Sequence, residues 1–274
     1  MNRINATLKK LRESGRKALV PYVVCGDPSI EATLPILHAL ADAGSDIIEL
    51  GVPFSDPMAE GPVIQKGHER ALANQMSLRK TMAIVGQFRE TNKETPVVLM
   101  GYTNPIEKMG YQQFVEQASS QGVDGVLTVD LPPDEAGELN HYLKQADMEN
   151  IFLIAPTTTY EREQMITGMA SGYLYYVSLK GVTGAGHLDV ASVQEKVSEI
   201  KTLTQLPVCV GFGIKDGESA KAVCRVADGA VVGSVLVDRV AKLYASGEID
   251  PEKLAGEVSV IISDIRTAID QQER

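Results

Sequence analysis

Tryptophan is missing from the chain altogether, phenylalanine occurs five times in 274 residues, and cysteine and histidine number only three and four. Each scarcity removes a class of chemistry. Cys25, Cys209 and Cys224 stand alone with no C-x-x-C spacing, which argues for a reducing compartment and against structural zinc. The histidines form no H-E-x-x-H or comparable pattern, so no metal is expected. No apolar run is long enough to span a bilayer, and the polar, periodic opening MNRINATLKKLRESG is unlike a signal peptide. Lys and Arg total 26 against 36 Asp and Glu, a formal net charge of −10, and the basic residues are scattered. That argues against nucleic acid or an anionic membrane as a partner. A phosphorylated small molecule is still allowed, because amide N–H groups at a helix N-terminus bind phosphate without basic side chains. The expectation is a soluble, cytoplasmic protein.

What the chain does have is a rhythm. Short, uniformly apolar, β-rich runs recur at residues 18–25, 46–52, 96–102, 125–131, 151–157, 173–179, 207–213 and 229–235. They are too short for buried helices and too evenly apolar for half-exposed strands, so they read as strands of a parallel sheet covered on both faces. Amphipathic stretches separate them, many opening with Ser, Asp or Glu and several closing at Gly. The last, PEKLAGEVSVIISDIRTAI, begins with a tolerated proline. Strands alternating with helices at roughly 25–30 residues per unit predict a single α/β domain over 1–274. Its expected form is a (β/α)8 TIM barrel with an N-terminal extra helix and an enlarged loop after strand 2. Residues 49–75 form that enlargement, read as an inserted βα segment. The runner-up is a doubly wound open sheet, for which GFGIKDG (211–217) offers only a G-x-G-x-x-x-G spacing, late in the chain.

Glu49 closes the apolar run IIEL and shares a pleat face with Ile47 and Gly51. Pointing into a barrel mouth, its carboxylate would be desolvated and its pKa raised, giving a group able to donate and accept a proton near neutrality. The strand offers no basic neighbour for a structural ion pair, and barrel catalysts sit at such strand ends. Glu60, in the loop beyond, can approach from above as a second carboxylate with its own pKa, or lie solvated. Asp56 is equally open, and can simply cap the turn beside Pro57. GFG (211–213) after strand seven and GS (233–234) before a short extra helix suit a phosphate site, with Ser234 adding a hydroxyl. The glycine-rich KGVTGAGH (180–187) reads either as a lid over substrate or as an ordinary connection. Lys180 adjoins that loop, and the strand interiors contain no lysine, which disfavours imine chemistry.

These blocks carry a resemblance. PYVVCGDP (21–28), ELGVPFSDPMAEGPVIQ (49–65), MGYTNP (100–105), GVDGVL (122–127), DLPP (130–133), GVTGA (181–185), GFGI (211–214) and GS (233–234) are similar, in order, to the tryptophan synthase alpha subunit family. The resemblance implies a lyase that splits indole-3-glycerol phosphate into indole and glyceraldehyde 3-phosphate by a retro-aldol step without cofactor, late in tryptophan biosynthesis. It assigns Glu49 and Glu60 as the catalytic carboxylates. Tyr22, Met100, Leu127, Tyr175 and Phe212 would line an indole pocket, and Thr183 would bond the second carboxylate on closure. Gly184, Gly213, Gly233 and Ser234 would hold the phosphate. The resemblance further implies a beta-subunit partner in an allosteric alpha2beta2 heterotetramer, faced by Pro53, Asp56, Pro57, Asn104 and Asp130. Two positions depart from the family pattern: Glu60 stands where aspartate is expected, and Cys25 where threonine is. The first opens an alternative, a catalytically weakened subunit that binds substrate and mainly activates its partner.

Overall fold

The computed structural model describes residues 2–178, 190–211 and 213–271. Eight parallel strands, β1 (Ala18–Val24), β2 (Ile48–Gly51), β3 (Val97–Gly101), β4 (Gly125–Thr128), β5 (Glu149–Ile154), β6 (Leu174–Val177), β7 (Val208–Gly211) and β8 (Gly229–Val232), close into a barrel in sequence order. Every predicted strand is present. Most are shorter than the apolar runs that announced them, because the runs continue past the last ladder bond into the loops.

The helices are α1 (Arg3–Ser14), α2 (Ile30–Asp42), α3 (Pro62–Ala73), α4 (Leu78–Thr91), α5 (Thr103–Met109), α6 (Tyr111–Ser120), α7 (Gly137–Gln145), α8 (Tyr160–Met169), α9 (Val190–Leu203), α10 (Gly217–Cys224), α11 (Ser234–Ala245) and α12 (Pro251–Asp270). Several of their starts follow the capping rules. The side chains of Ser29, Ser77, Thr159 and Asp216 each accept from an N–H of the first turn, satisfying donors that the helix cannot.

Two differences from the sequence reading have physical causes. The enlarged loop after β2 contains a helix, α3, but no strand between residues 52 and 61. Pro53 and Pro57 lack the N–H groups a ladder would need. Helix α5 was not foreseen from TNPIEKM. Its Pro105 falls in the first turn, where no intrahelical donor is lost, and Asp130 accepts from the Thr103 N–H at 2.7 Å and hydroxyl at 2.8 Å.

Strand alternation sorts the side chains into two cores. Ala18, Val20, Ile47, Val98, Leu127, Ile151, Tyr173, Cys209 and Val231 fill the barrel interior, while Leu19, Val23, Ile48, Leu50 and Leu99 face the helices. Helix α1 closes the barrel floor, burying Ile4, Leu8 and Leu11 against the interior set. The opposite end, where the strands finish, is left for the site.

Candidate active site

Strand polarity brings the candidates from distant parts of the sequence to one end. Tyr22 and Glu49 are register partners on β1 and β2, Glu49 pairs with Val98 on β3, and Met100 pairs with Leu127 on β4. Tyr175 lies beside Cys209 across β6 and β7.

Glu49 is completely buried, and the Tyr173 hydroxyl donates to its Oε1 at 2.6 Å. Its Oε2 has no hydrogen-bond partner, and the carboxylate no ion pair, among the described residues. Burial pushes this carboxyl up to about 8; the Tyr173 hydrogen bond pulls the other way, and the charge of Glu60 adds to the rise. Glu49 therefore holds its proton at neutral pH in the free site.

Glu60 sits one residue before the Gly61 cap of α3, with Pro62 opening the helix. Its N–H donates to the Pro57 carbonyl at 3.0 Å, and its own carbonyl accepts from the Gln65 amide at 2.8 Å. Burial raises its carboxyl to about 7. Burial thus moves both acids up toward neutrality, Glu49 further than Glu60.

The loop that carries Glu60 is fixed at several points. Phe54 stacks on Tyr102 with ring centroids 5.0 Å apart, and the Ala59 N–H donates to the Tyr102 hydroxyl at 3.2 Å. The Phe54 N–H donates to His68 Nδ1 on α3 at 3.1 Å. Helix α3 is in turn held to the β1 loop by Arg70, whose guanidinium donates to both Asp27 oxygens at 2.6 and 2.8 Å. That fork geometry fixes direction as well as distance.

Glycines make room for the large rings of the mouth. A Cβ on Gly51 would lie 2.4 Å from the Tyr22 hydroxyl, and one on Gly211 would lie 2.1 Å from the Tyr175 hydroxyl. A side chain at either glycine would displace the tyrosine above it. Gly233 is the cap of α11 and makes no side-chain capping bond, so the N–H groups of that first turn find no acceptor from their own cap. Ser234 opens the helix and is exposed, and Gly213 is exposed at φ 78°. Thr183, Gly184, Phe212, Lys180 and the rest of the 180–187 stretch lie outside the described residues.

Among the candidates for partner contact, Asp56 and Asn104 are exposed and Asp130 is half-buried at the α5 cap. Pro53 and Pro57 are buried within the chain. Met58, between them and Glu60, is 79% exposed, the most exposed large apolar side chain among the described residues. Sequence reasoning missed Tyr173, Phe54, His68 and Tyr102. Tyr173 shares the pleat face of Tyr175, a signal the sequence contains, whereas His68, at helical spacing between Ile64 and Ala71, reads as core until its contacts are known.

Three comparisons bear on this geometry. A family model described as "Tryptophan synthase alpha chain" matches residues 8–264. Curated tryptophan synthase alpha chains from Methylococcus capsulatus and Marinobacter nauticus are 51% and 54% identical over 270 residues, spanning 98% of this chain and 100% and 98% of theirs. The crystal structure of a tryptophan synthase alpha subunit from Legionella pneumophila superposes with a TM-score of 0.91 at 43% identity, covering 99% of this chain and all of that one. Tryptophan synthase of M. tuberculosis in an aminoacrylate-bound form gives 0.86 at 28% identity over 98% of this chain.

Proposed function

This chain belongs to the tryptophan synthase alpha chain family, and from that premise we propose that it cleaves indole-3-glycerol phosphate to indole and glyceraldehyde 3-phosphate with Glu49 and Glu60 as the acting acids. The observation that carries the reading is Glu49, a fully buried carboxyl without an ion pair among the described residues, at the catalytic end of a barrel strand and protonated near neutrality.

The chemistry follows from the two ionisation states. Glu49 gives its proton to C3 of the indole ring, and the Glu60 carboxylate stabilises the positive charge that develops toward the ring nitrogen. The Glu49 carboxylate then takes the proton of the adjacent glycerol hydroxyl. As that oxygen becomes a carbonyl, the bond from C3 to the glycerol carbon breaks, its electron pair returns to the ring, and Glu49 regains its proton. The open first turn of α11 with Ser234, and Gly213 beside it, would hold the phosphate. Tyr22, Met100, Leu127 and Tyr175 would form the apolar walls that a planar indole needs. A tryptophan synthase beta chain is the partner expected at the surface that displays Asp56, Met58 and Asn104.

Purified protein given indole-3-glycerol phosphate is expected to release indole, faster with a beta chain present. Glu49→Gln should retain substrate affinity and lose at least two orders of magnitude in kcat. Substrate binding without turnover in the wild type, even with the beta chain, would favour the weakened-subunit reading that Glu60 raises. Restored activity in Glu60→Asp would then locate the fault in one extra methylene, since an ångström of misplacement can change a rate about a hundredfold.

A further inference from the structure

His68 belongs to neither acid, yet it is 2% exposed and touches both sides of the site. Its Nδ1 accepts the Phe54 N–H at 3.1 Å, and its Nε2 lies 3.3 Å from the Tyr22 hydroxyl oxygen. Because a backbone N–H can only donate, Nδ1 carries no proton, and the neutral ring must bear its hydrogen on Nε2. Burial lowers this imidazole to about 4, so the neutral form is the one present throughout the working range. The Nε2–H then donates to the Tyr22 oxygen, and the phenolic hydrogen is left to be donated elsewhere. No acceptor for it occurs among the described residues.

The direction open to that hydrogen is set by packing. The Tyr22 oxygen lies over Gly51, two residues beyond Glu49 on β2, while the base of the ring lies against Gly233, whose Cβ position is 3.3 Å from Tyr22 Cβ and Cδ1. Tyr22 therefore runs from the α11 cap to the acid end of the mouth. Among the charges that bear on its hydroxyl after desolvation, Glu60 is felt most. Glu60 sits on the loop whose start, Phe54, is bonded to the other nitrogen of the same imidazole.

We propose that His68 is a positioning residue that anchors the 53–61 loop through Nδ1 and aims the Tyr22 hydroxyl through Nε2, so that Tyr22 donates a hydrogen bond to the Glu60 carboxylate in the cleavage-competent site. The inference rests on the lyase reading and adds a third group to its acid pair. A ring with its two nitrogens committed in this way couples loop order to hydroxyl orientation, and each bond alone would leave the other free.

The two nitrogens can be separated by substitution. His68→Asn places an amide oxygen near the Nδ1 position and keeps the loop anchor; His68→Gln places an amide N–H near the Nε2 position and keeps the Tyr22 contact. Tyr22→Phe removes the hydroxyl and keeps the ring. A donor to the charged form of Glu60 lowers its pKa, so Tyr22→Phe and His68→Asn should both move the acid limb of the kcat/KM profile to higher pH. Each should also lower kcat/KM by roughly threefold to tenfold, the range of one hydrogen bond, and leave the alkaline limb of Glu49 in place. The other groups around Glu60 are Tyr102, Glu49 and Tyr175, with Asp130 beyond Tyr102, and all are retained in these variants. In the double variant the losses should not add. Hydrogen exchange of the Phe54 amide should accelerate in His68→Gln and remain slow in His68→Asn.

Additive losses, or an acid limb that stays put in Tyr22→Phe, would overturn the proposal. So would a nitrogen NMR spectrum showing the hydrogen on Nδ1. Absence of turnover in the wild type would instead remove the lyase reading, and the tautomer and Phe54 exchange would still decide whether His68 holds the loop and the hydroxyl.

Discussion

At the scale of single residues, the chain accepts an instability where it needs chemistry. Glu49 is buried with one oxygen unsatisfied and no ion pair among the described residues, while Asp27, Asp124 and Glu163, also buried, each have an Arg or Lys against them and the buried Glu149 accepts from the Asn5 amide. A carboxyl whose native pKa is raised holds its proton more tightly when folded, so its contribution to stability is intact at acid pH. That contribution drains away as pH climbs from the unfolded carboxylate range through the native value of about 8. Glu49→Gln keeps an oxygen for the Tyr173 hydroxyl and cannot ionise. The variant should therefore melt with the wild type near pH 5 and above it at pH 8. At about 1.4 kcal/mol per pH unit for one proton, the three units between those pH values are worth up to roughly 4 kcal/mol, or about 8–16 °C in Tm by the scaling for large domains. Calorimetry across that range checks it; a gap that stays constant with pH would mean that Glu49 is already ionised when folded. The candidacy of Glu49 was readable in the sequence because a charge in an apolar strand without a basic neighbour stands out. His68 was not, because a histidine between Ile64 and Ala71 looks like ordinary core until the distances to Phe54 and Tyr22 are known.

At the scale of elements, the strands were legible because a two-sided parallel sheet leaves near-continuous apolar runs, and several helices because their caps are written in Ser, Thr and Asp. The loop after β2 resisted. Its shape depends on Phe54 meeting Tyr102 and on the Phe54 amide meeting His68 on α3, and no local propensity encodes such contacts. The glycines at strand ends belong with these tertiary facts: Gly51 is extended and needs no unusual backbone, yet its missing Cβ is what admits the Tyr22 ring. Gly51→Ala should thus damage the site more than the fold. We expect a loss of at least tenfold in kcat/KM from the displaced ring and a tilt in the indole pocket, measured alongside thermal melting. Combining it with Tyr22→Ala, which removes the clash, should yield little further loss beyond Tyr22→Ala alone. Fully additive losses would mean that Gly51 serves the substrate directly.

At the scale of the whole molecule, the barrel separates chemistry from stability by its two ends. The acids, the mouth tyrosines and the cap of α11 occupy the end where strands finish. The floor is closed by α1, whose Ile4 is wholly buried. Ile4 fits because two glycines leave space for it: a Cβ on Gly125 would come within 3.0 Å of Ile4 Cδ1, and one on Gly172 within 3.3 Å of Ile4 Cγ2. The same floor carries Asp124, which accepts from Arg3 and Arg89, each at 2.7 Å, and from the Val97 N–H at 2.8 Å. One network thus ties α1 and α4 to the start of β3 and the residue preceding β4. Ile4→Ala removes three carbons from a site that backbone closure keeps from collapsing, and should lower stability by about 2–4 kcal/mol. In a chain of this size that is a fall in Tm of roughly 4–16 °C. Because Ile4 contacts the floor and not the mouth, kcat and KM for indole release at 25 °C should stay within about twofold of the wild type. A variant that melts lower while turning over normally would establish that the plug supports the frame alone. A variant that loses kcat at temperatures where it remains folded would show that packing at the floor reaches Glu49, through Ile151 and Tyr173, which share one interior core with Ile4.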